Sequence, residues 1–302
     1  MHYNSLNGYL KQKFGCKVYK LSLNAGFGCP NRDGTVGLGG CIFCSKGGSG
    51  DFAEDCRLTV TEQIERAKSR VSKKVKDGKY IAYLQAFTNT YAPIERLRSV
   101  YLEAIKDPDT VALSVATRPD CLGRDVLSLL KEINGIKPVF VELGLQTANN
   151  STAKLINRGY PTEVFDRAVQ SLHGIGVNTV AHIIIGLPRE TEKDVYNTVR
   201  HISALPIDGV KLQLLYVLRG TKLSEMYEAK EFSVLSMERY IAVVAKCIEL
   251  LPREIVIHRL TGDGPKKDLI APLWSGDKKT VLNAVNRYFD LHGITQGRLF
   301  KA

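Results

Sequence analysis

Strand-like and helix-like stretches alternate along most of the chain, and this alternation constrains the fold more than any other feature. Apolar or β-branched runs occur at Lys17–Leu23, Tyr80–Ala86, Val111–Ala116, Pro138–Leu143, Thr179–Ile185, Gly209–Tyr216 and Ile255–His258. Between them lie helical patterns. The clearest is Thr61–Lys76, with Ile64, Ala67, Val71 and Val75 on one face, and Thr59 with Glu62 three residues on offers it a capping box. Others cover Ile94–Lys106, Arg124–Glu132, Thr162–His173, Glu192–Ala204 and Ser236–Leu250. Strands separated by helices imply βαβ units and a parallel sheet. The spacing therefore predicts an α/β fold, an open or partial (β/α) TIM-like barrel, with functional groups in the loops after the strands. Residues 1–14 read as an N-terminal extension with a short helix, 15–260 as the core, and 261–302 as a C-terminal extension packed on the barrel with one helix, Lys279–Leu291.

With 302 residues, 44% of them hydrophobic, the chain can bury a sizeable core. Its longest apolar runs, such as Val180–Leu187, are strand-sized, too short to span a bilayer. The N-terminus lacks the basic and apolar regions of a signal peptide, so a cytoplasmic setting is expected. Thiols stay reduced there, and the seven cysteines point to metal binding rather than disulfides. The net charge of +11 suits a polyanionic partner such as tRNA; it equally suits a generally basic, solubilising surface.

The chemistry-bearing segment follows the first strand: Cys29-Pro30-Asn31-Arg32-Asp33-Gly34-Thr35-Val36-Gly37-Leu38-Gly39-Gly40-Cys41-Ile42-Phe43-Cys44. A glycine-rich loop can wrap closely around a compact inorganic cluster, and thiolates are the usual ligands of iron–sulfur clusters. Three cysteines would serve three irons of a four-iron cluster and leave the fourth open for chemistry. A zinc site is the alternative. It needs a fourth ligand; Cys56 is the nearest, and no histidine lies between residues 3 and 172.

These residues resemble the radical S-adenosylmethionine (SAM) superfamily, in the branch of YhcC/YtqA-like proteins related to the catalytic subunit of Elongator. The family's usual Cys-x-x-x-Cys-x-x-Cys loop is widened here between Cys29 and Cys41. The resemblance spans roughly residues 15–260 and rests on Asn24–Gly34, Tyr83–Pro93, Thr117–Asp120, Glu142–Thr147, Asn157–Tyr160 and Ile183–Pro188, in that order. It implies the radical SAM type of partial barrel, a [4Fe-4S] cluster on Cys29, Cys41 and Cys44, and SAM as cofactor. It also implies an electron donor of low potential such as flavodoxin or ferredoxin. Among the SAM contacts it implies Phe43 beside the adenine, and Gln85, Asn89 and Thr90 at the amino group, where many relatives carry Gly-Gly-Glu. It places Gln146 and Arg158 at the ribose and carboxylate, adds Glu142, and sets the strand backbone at Ile185 along the adenine. Capping of the helix near Pro93 competes for Asn89 and Thr90, and pairing with a core basic residue competes for Glu142.

Arg118 and Asp120 are expected at the same mouth, as a salt bridge or touching substrate. His182 and His258 read as core residues, and Cys16, Cys56, Cys121 and Cys247 as unligated. For the substrate, the resemblance implies the C5 side chain of the tRNA wobble uridine, converted from carboxymethylaminomethyl to aminomethyl. Lys68, Arg70, Lys73, Lys74, Lys76 and Lys79, and in the tail Lys266, Lys267, Lys278 and Lys279, are candidate phosphate contacts or merely solvated faces. A radical enzyme acting on a small molecule or peptide, and a non-catalytic iron–sulfur or zinc protein, remain the other functional classes.

Overall fold

The structure is a computed structural model that describes residues 2–71, 78–262 and 264–301. Its main sheet is built from β1 (Val18–Leu23), β2 (Lys79–Leu84), β3 (Thr110–Thr117), β4 (Val139–Gln146), β5 (Asn178–Ile185) and β6 (Gly209–Leu214), completed by β8 (Val256–Arg259). All seven strands are parallel, in the order β1-β2-β3-β4-β5-β6-β8. A short antiparallel ribbon joins β7 (Val217–Leu218) to β9 (Leu269–Ala271).

The connections are helical: α2 (Val60–Val71), α3 (Ile94–Lys106), α4 (Arg124–Ile136), α5 (Asn150–Leu155), α6 (Thr162–Gly174), α7 (Glu192–Ser203), α8 (Lys222–Glu228) and α9 (Met237–Leu250). The capping box at the start of α2 is formed: the Thr59 N–H donates to Glu62 Oε2 at 2.7 Å, and the Glu62 N–H donates to Thr59 Oγ1 at 3.2 Å. The helix expected to run on through Val75 to Lys76 can be followed to Val71; those last positions lie outside the described residues.

The sheet is curled into a half-barrel. Lys20 on β1 and Lys211 on β6 both bond the same carboxylate, Glu142 on β4. Five strand spacings of a flat sheet would hold β1 and β6 about 24 Å apart, so the inner face must be concave. Side chains on that face stand in layers, because alternate residues of a strand point the same way. The lowest layer is apolar. Ile81, Ala112, Phe140 and Val180 pack there with Leu10 of α1 (Leu6–Phe14), which closes the floor of the barrel. The next layer holds Lys20, Tyr83, Ser114, Glu142, His182 and Lys211. Above it stand Ser22, Gln85, Ala116, Gly144, Ile184 and Gln213, which line the cavity beneath the cysteine loop. The opposite face of the sheet packs on the helices in a continuous apolar core that includes Leu21, Leu84, Val115, Leu143, Ile183, Ile185 and Leu212.

The chain ends meet at the open edge beside β8. Ser5 pairs with Ile257, and Gln296 accepts from the Asn4 N–H at 2.8 Å while donating to the carbonyls of Pro252 and Ile255. The final helix α10 (Lys278–His292) buries Val281, Val285 and Phe289. Among the described residues no helix is long and apolar enough to cross a membrane.

Candidate functional site

The loop after β1 carries Cys29, Cys41 and Cys44 over the upper end of the barrel, and all three line one cavity of about 360 Å³. All three are free thiols. Burial pushes the Cys41 thiol up to about 12, reinforced by the neighbouring Cys44 and opposed by the Arg118 guanidinium. Burial raises Cys44 as well, against the pull of Arg32. Thiols that resist ionisation in a dry site become ligands when a metal takes the place of the proton. The two guanidiniums offset part of the resulting negative charge.

Each thiolate of a four-iron cluster binds its own iron, so the sulfurs must surround a shared volume rather than meet at one point. The donor set fits that requirement: soft thiolates on one glycine-rich loop, facing one cavity. Among the described residues no three His, Cys, Asp or Glu side chains converge on a single-ion position. Cys56, the nearest further cysteine, is exposed and is not part of the cavity wall.

Two supports fix the loop. On one side, the segment 45–53 lies against the end of β2. The Phe87 N–H donates to the Gly48 carbonyl at 2.9 Å, Gln85 Nε2 donates to the Ser49 carbonyl at 2.6 Å, and Arg32 donates to the Ser45 carbonyl at 2.5 Å. Gly48 has a φ of +60°, and a Cβ there would enter the Phe87 ring, so only glycine fits. On the other side stands the Asn157-Arg158-Gly159 turn. Asn157 Nδ2 donates to the Gly40 carbonyl at 2.8 Å, and Asn31 Nδ2 donates to the Asn157 carbonyl at 2.6 Å. Asn31 Nδ2 also approaches Cys41 Sγ at 3.8 Å, the reach of an N–H to sulfur.

Of the residues expected at SAM, Phe43, Gln85, Glu142 and Gln146 line the cavity. Gln146 sits on a break in the β4–β5 register with a φ of +66°, a conformation costly for a non-glycine residue; it turns the side chain into the cavity. The side chains of the other four point elsewhere, although for Ile185 it is the backbone that was expected along the adenine. Arg158 is 1% exposed, and its guanidinium is spent on the carbonyls of Leu145 and Thr147, each at 2.6 Å, and of Tyr160 at 2.9 Å. It ties the turn to the end of β4 and has no group left for a ligand carboxylate. Asn89 is buried and donates to the carbonyls of Leu84, Ala86 and Ala116, bridging the ends of β2 and β3. The Thr90 hydroxyl bonds that of Thr117 at 2.5 Å. Neither caps α3, whose first turn follows Pro93. Ile185 points to the helix side of the sheet and joins the core there, while its neighbour Ile184 lines the cavity, as alternation along a strand requires.

Arg118 faces the cavity in place of Arg158. It holds Asp120 through two hydrogen bonds of 2.9 and 2.6 Å and stacks over Tyr160 at 4.8 Å.

Beneath the upper layer lies a charged network that sequence patterning did not isolate. Glu142 Oε1 accepts from Lys20 and from Ser114 Oγ; Oε2 accepts from Lys211 and faces a His182 ring nitrogen at 2.8 Å. The ammonium groups of Lys20 and Lys211 stand over the Tyr83 ring, 4.7 and 4.6 Å from its centre. Burial works against ionisation of Glu142, but Lys20 and Lys211 overcome it and hold the carboxyl well below its usual range. Burial and the same lysine hold His182 down to about 4, so the ring is neutral. Burial brings Lys211 down to about 7 despite Glu142. The signal for this network was present as single polar residues interrupting apolar strands; only strand order shows that they meet.

Several basic residues of α2 and β2 are already partnered: Lys68 with Asp107 at 2.6 Å, Arg70 with Glu54, and Lys79 with Asp109 at 2.8 Å. Lys73, Lys74 and Lys76 lie outside the described residues. Lys266 and Lys267 are exposed and directly follow Pro265, which lines the cavity.

A curled parallel half-barrel with a three-cysteine loop over its upper end defines a class. The chain matches the Radical SAM superfamily over residues 23–202 and the Radical_SAM C-terminal domain over residues 207–290. It belongs to the radical SAM superfamily, whose members use a [4Fe-4S] cluster and SAM, and it is a radical SAM enzyme. Within the family it is similar to YtqA of Bacillus subtilis (strain 168), 44% identical over 299 residues, covering 99% of this chain and 93% of YtqA. It is also similar to the tRNA uridine(34) acetyltransferase of Methanocaldococcus jannaschii, 28% identical over 61% of this chain and 34% of that protein. Among solved structures, the archaeal Methanocaldococcus infernus Elp3 lacking its N-terminus shares the fold, with a TM-score of 0.71 at 18% identity, over 92% of this chain and 64% of that one.

Proposed function

We propose that Cys29, Cys41 and Cys44 hold the cluster and that the enzyme acts on the C5 side chain of the tRNA wobble uridine, converting carboxymethylaminomethyl to aminomethyl. The observation that carries the substrate reading is the similarity to a protein named for tRNA uridine(34), over 61% of this chain. The net charge of +11 and the exposed Lys266 and Lys267 at the cavity rim support it, since such groups suit phosphates.

When bound, the cluster and SAM supply reductive cleavage of a sulfur–carbon bond and a radical able to take hydrogen from an unreactive carbon. The chain's own residues do the rest. The Gln85 and Gln146 amides offer donors and acceptors to the polar end of SAM, and Phe43 offers an aromatic face to the adenine. The half-barrel, closed below by α1, excludes water from the reacting carbon. A wobble base in a single-stranded anticodon loop can be turned into such a cavity at low unstacking cost. A cytoplasmic setting, which keeps the cysteines reduced, suits this role.

Nucleoside analysis of tRNA from a strain lacking the gene tests the reading. Loss of aminomethyl-type wobble uridines with accumulation of the carboxymethylaminomethyl form is expected. An unchanged wobble profile, with no tRNA bound by the purified protein at low salt, overturns it in favour of a small-molecule or peptide substrate.

A further inference from the structure

Among the described residues, the layer beneath the upper cavity is short of negative charge. Lys211 and Arg259 are paired in register across β6 and β8, and both line the cavity. Lys20 stands across the barrel from them, and the network's one carboxylate is Glu142. Both Glu142 oxygens are already committed, to Lys20, Ser114, Lys211 and His182. The Arg259 side chain forms no hydrogen bond or ion pair among the described residues. The only other carboxylate among the described wall residues, Asp51, takes the Ser45 hydroxyl at 2.9 Å on the cysteine loop. His182 is neutral and offsets nothing.

Lys211 is buried and Arg259 partly so; cations withdrawn from water without counter-charge are costly, and an arriving anion relieves that cost. Burial, with Lys20 and Arg259 nearby, brings Lys211 down to about 7 despite Glu142, the direction that a shortage of counter-charge gives.

We propose that Lys211 and Arg259 receive a carboxylate carried by the substrate, deep in the barrel and below the SAM site. A guanidinium fork binds a carboxylate through two parallel hydrogen bonds, and an ammonium beside it adds a point charge. SAM carries a carboxylate too, but a cofactor tethered at the cysteine loop meets the upper layer of Gln85, Gly144 and Gln213 first. Lys211 is one layer deeper, about 6.6 Å at two residues of strand rise. This inference rests on the wobble-uridine reading, whose substrate side chain ends in a carboxylate.

The test uses reconstituted holoenzyme and two anticodon stem-loop RNAs that differ only at the wobble side chain: carboxymethylaminomethyluridine and its carboxamide. The wild type should bind the carboxylate RNA at least about tenfold more tightly, the size of a charge-assisted contact of roughly 1.4 kcal/mol. Arg259→Gln should bring the two affinities to within about twofold, Arg259→Lys should keep part of the preference, and Lys211→Met should weaken it, all at wild-type iron content. SAM affinity of Arg259→Gln should stay at the wild-type value. Equal wild-type binding of the two RNAs overturns the carboxylate site while leaving the tRNA reading standing. A loss of SAM affinity in Arg259→Gln with the RNA preference intact assigns the site to SAM and overturns it as well. Binding of neither RNA removes the tRNA reading and this inference with it.

Discussion

Arg118 donates from Nη1 to the carbonyl oxygen of Arg158 at 2.9 Å, and both guanidiniums stand over the Tyr160 ring, 4.8 and 4.7 Å from its centre. The arginines divide their work. Arg158 bonds the carbonyls of Leu145 and Thr147 at the end of β4 and of Tyr160 in its own turn, whereas Arg118 faces the cavity. Arg158→Ala should therefore act on stability. Each buried carbonyl left unpaired costs about 1–3 kcal/mol, so a loss on the order of 3 kcal/mol or more is expected in denaturant unfolding. Arg118→Ala unpairs one buried carbonyl, that of Arg158, so it should cost only about 1–3 kcal/mol, and by removing a positive charge from the cavity wall it should weaken SAM binding by roughly tenfold. The reverse pattern, with a stable Arg158→Ala that fails to bind SAM, would return Arg158 to the ligand.

Glu190 gives stability a pH dependence. Among the described residues its carboxyl has no partner cation; burial pushes it up to about 7 even though the Thr147 hydroxyl, at 2.5 Å, favours the ionised form. The folded protein thus holds a proton that the unfolded chain releases near the ordinary carboxyl value of 4.5. The stabilisation is complete below that lower value and is lost as pH rises through about 7. Glu190→Gln should remove this slope, so that the variant gains on the wild type as pH rises from 5 to about 8 by an amount on the order of 3 kcal/mol. Parallel stability curves for the two proteins across that range would contradict the assignment.

Much of the fold was legible because strands and helices announce themselves by period. The helix expected at Ile94–Lys106 has those bounds in the structure, and the other long helices differ by a few residues at their ends. α5 and α8, of 6 and 7 residues, were missed because so short a segment shows barely two turns of pattern. At the site, the cysteine loop was legible from residue type and spacing. The role of Arg158 was not. An Asn-Arg-Gly turn reads as exposed or ligand-facing, and only the fold of that turn against β4 shows where its donors go. The Lys20–Glu142–Lys211 network was hidden for a related reason: Lys20 and Lys211 lie 122 and 69 residues from Glu142 along the chain, and curvature of the sheet brings them together.

The rim lysines make a salt-dependence prediction. Each phosphate contact contributes about 0.7–0.9 to the slope of log affinity against log salt. Replacing Lys266 and Lys267 together by Gln should lower tRNA affinity and reduce that slope by roughly 1.5. Reductive SAM cleavage without RNA should be unaffected, because both side chains are exposed outside the cavity wall. An unchanged slope would move the phosphate track away from this rim.

The central claim is that Cys29, Cys41 and Cys44 together carry the cluster that cleaves SAM. The most direct measurement is iron content and 5′-deoxyadenosine release, after anaerobic reconstitution and dithionite reduction, for the wild type and for single Ala variants of these three residues and of Cys56. The account predicts about four irons per chain in the wild type and in Cys56→Ala, with 5′-deoxyadenosine formed by both. It predicts that each of Cys29→Ala, Cys41→Ala and Cys44→Ala loses the intact cluster and the product. Retention of cluster and product by any one of those three variants, or their loss in Cys56→Ala, would contradict it.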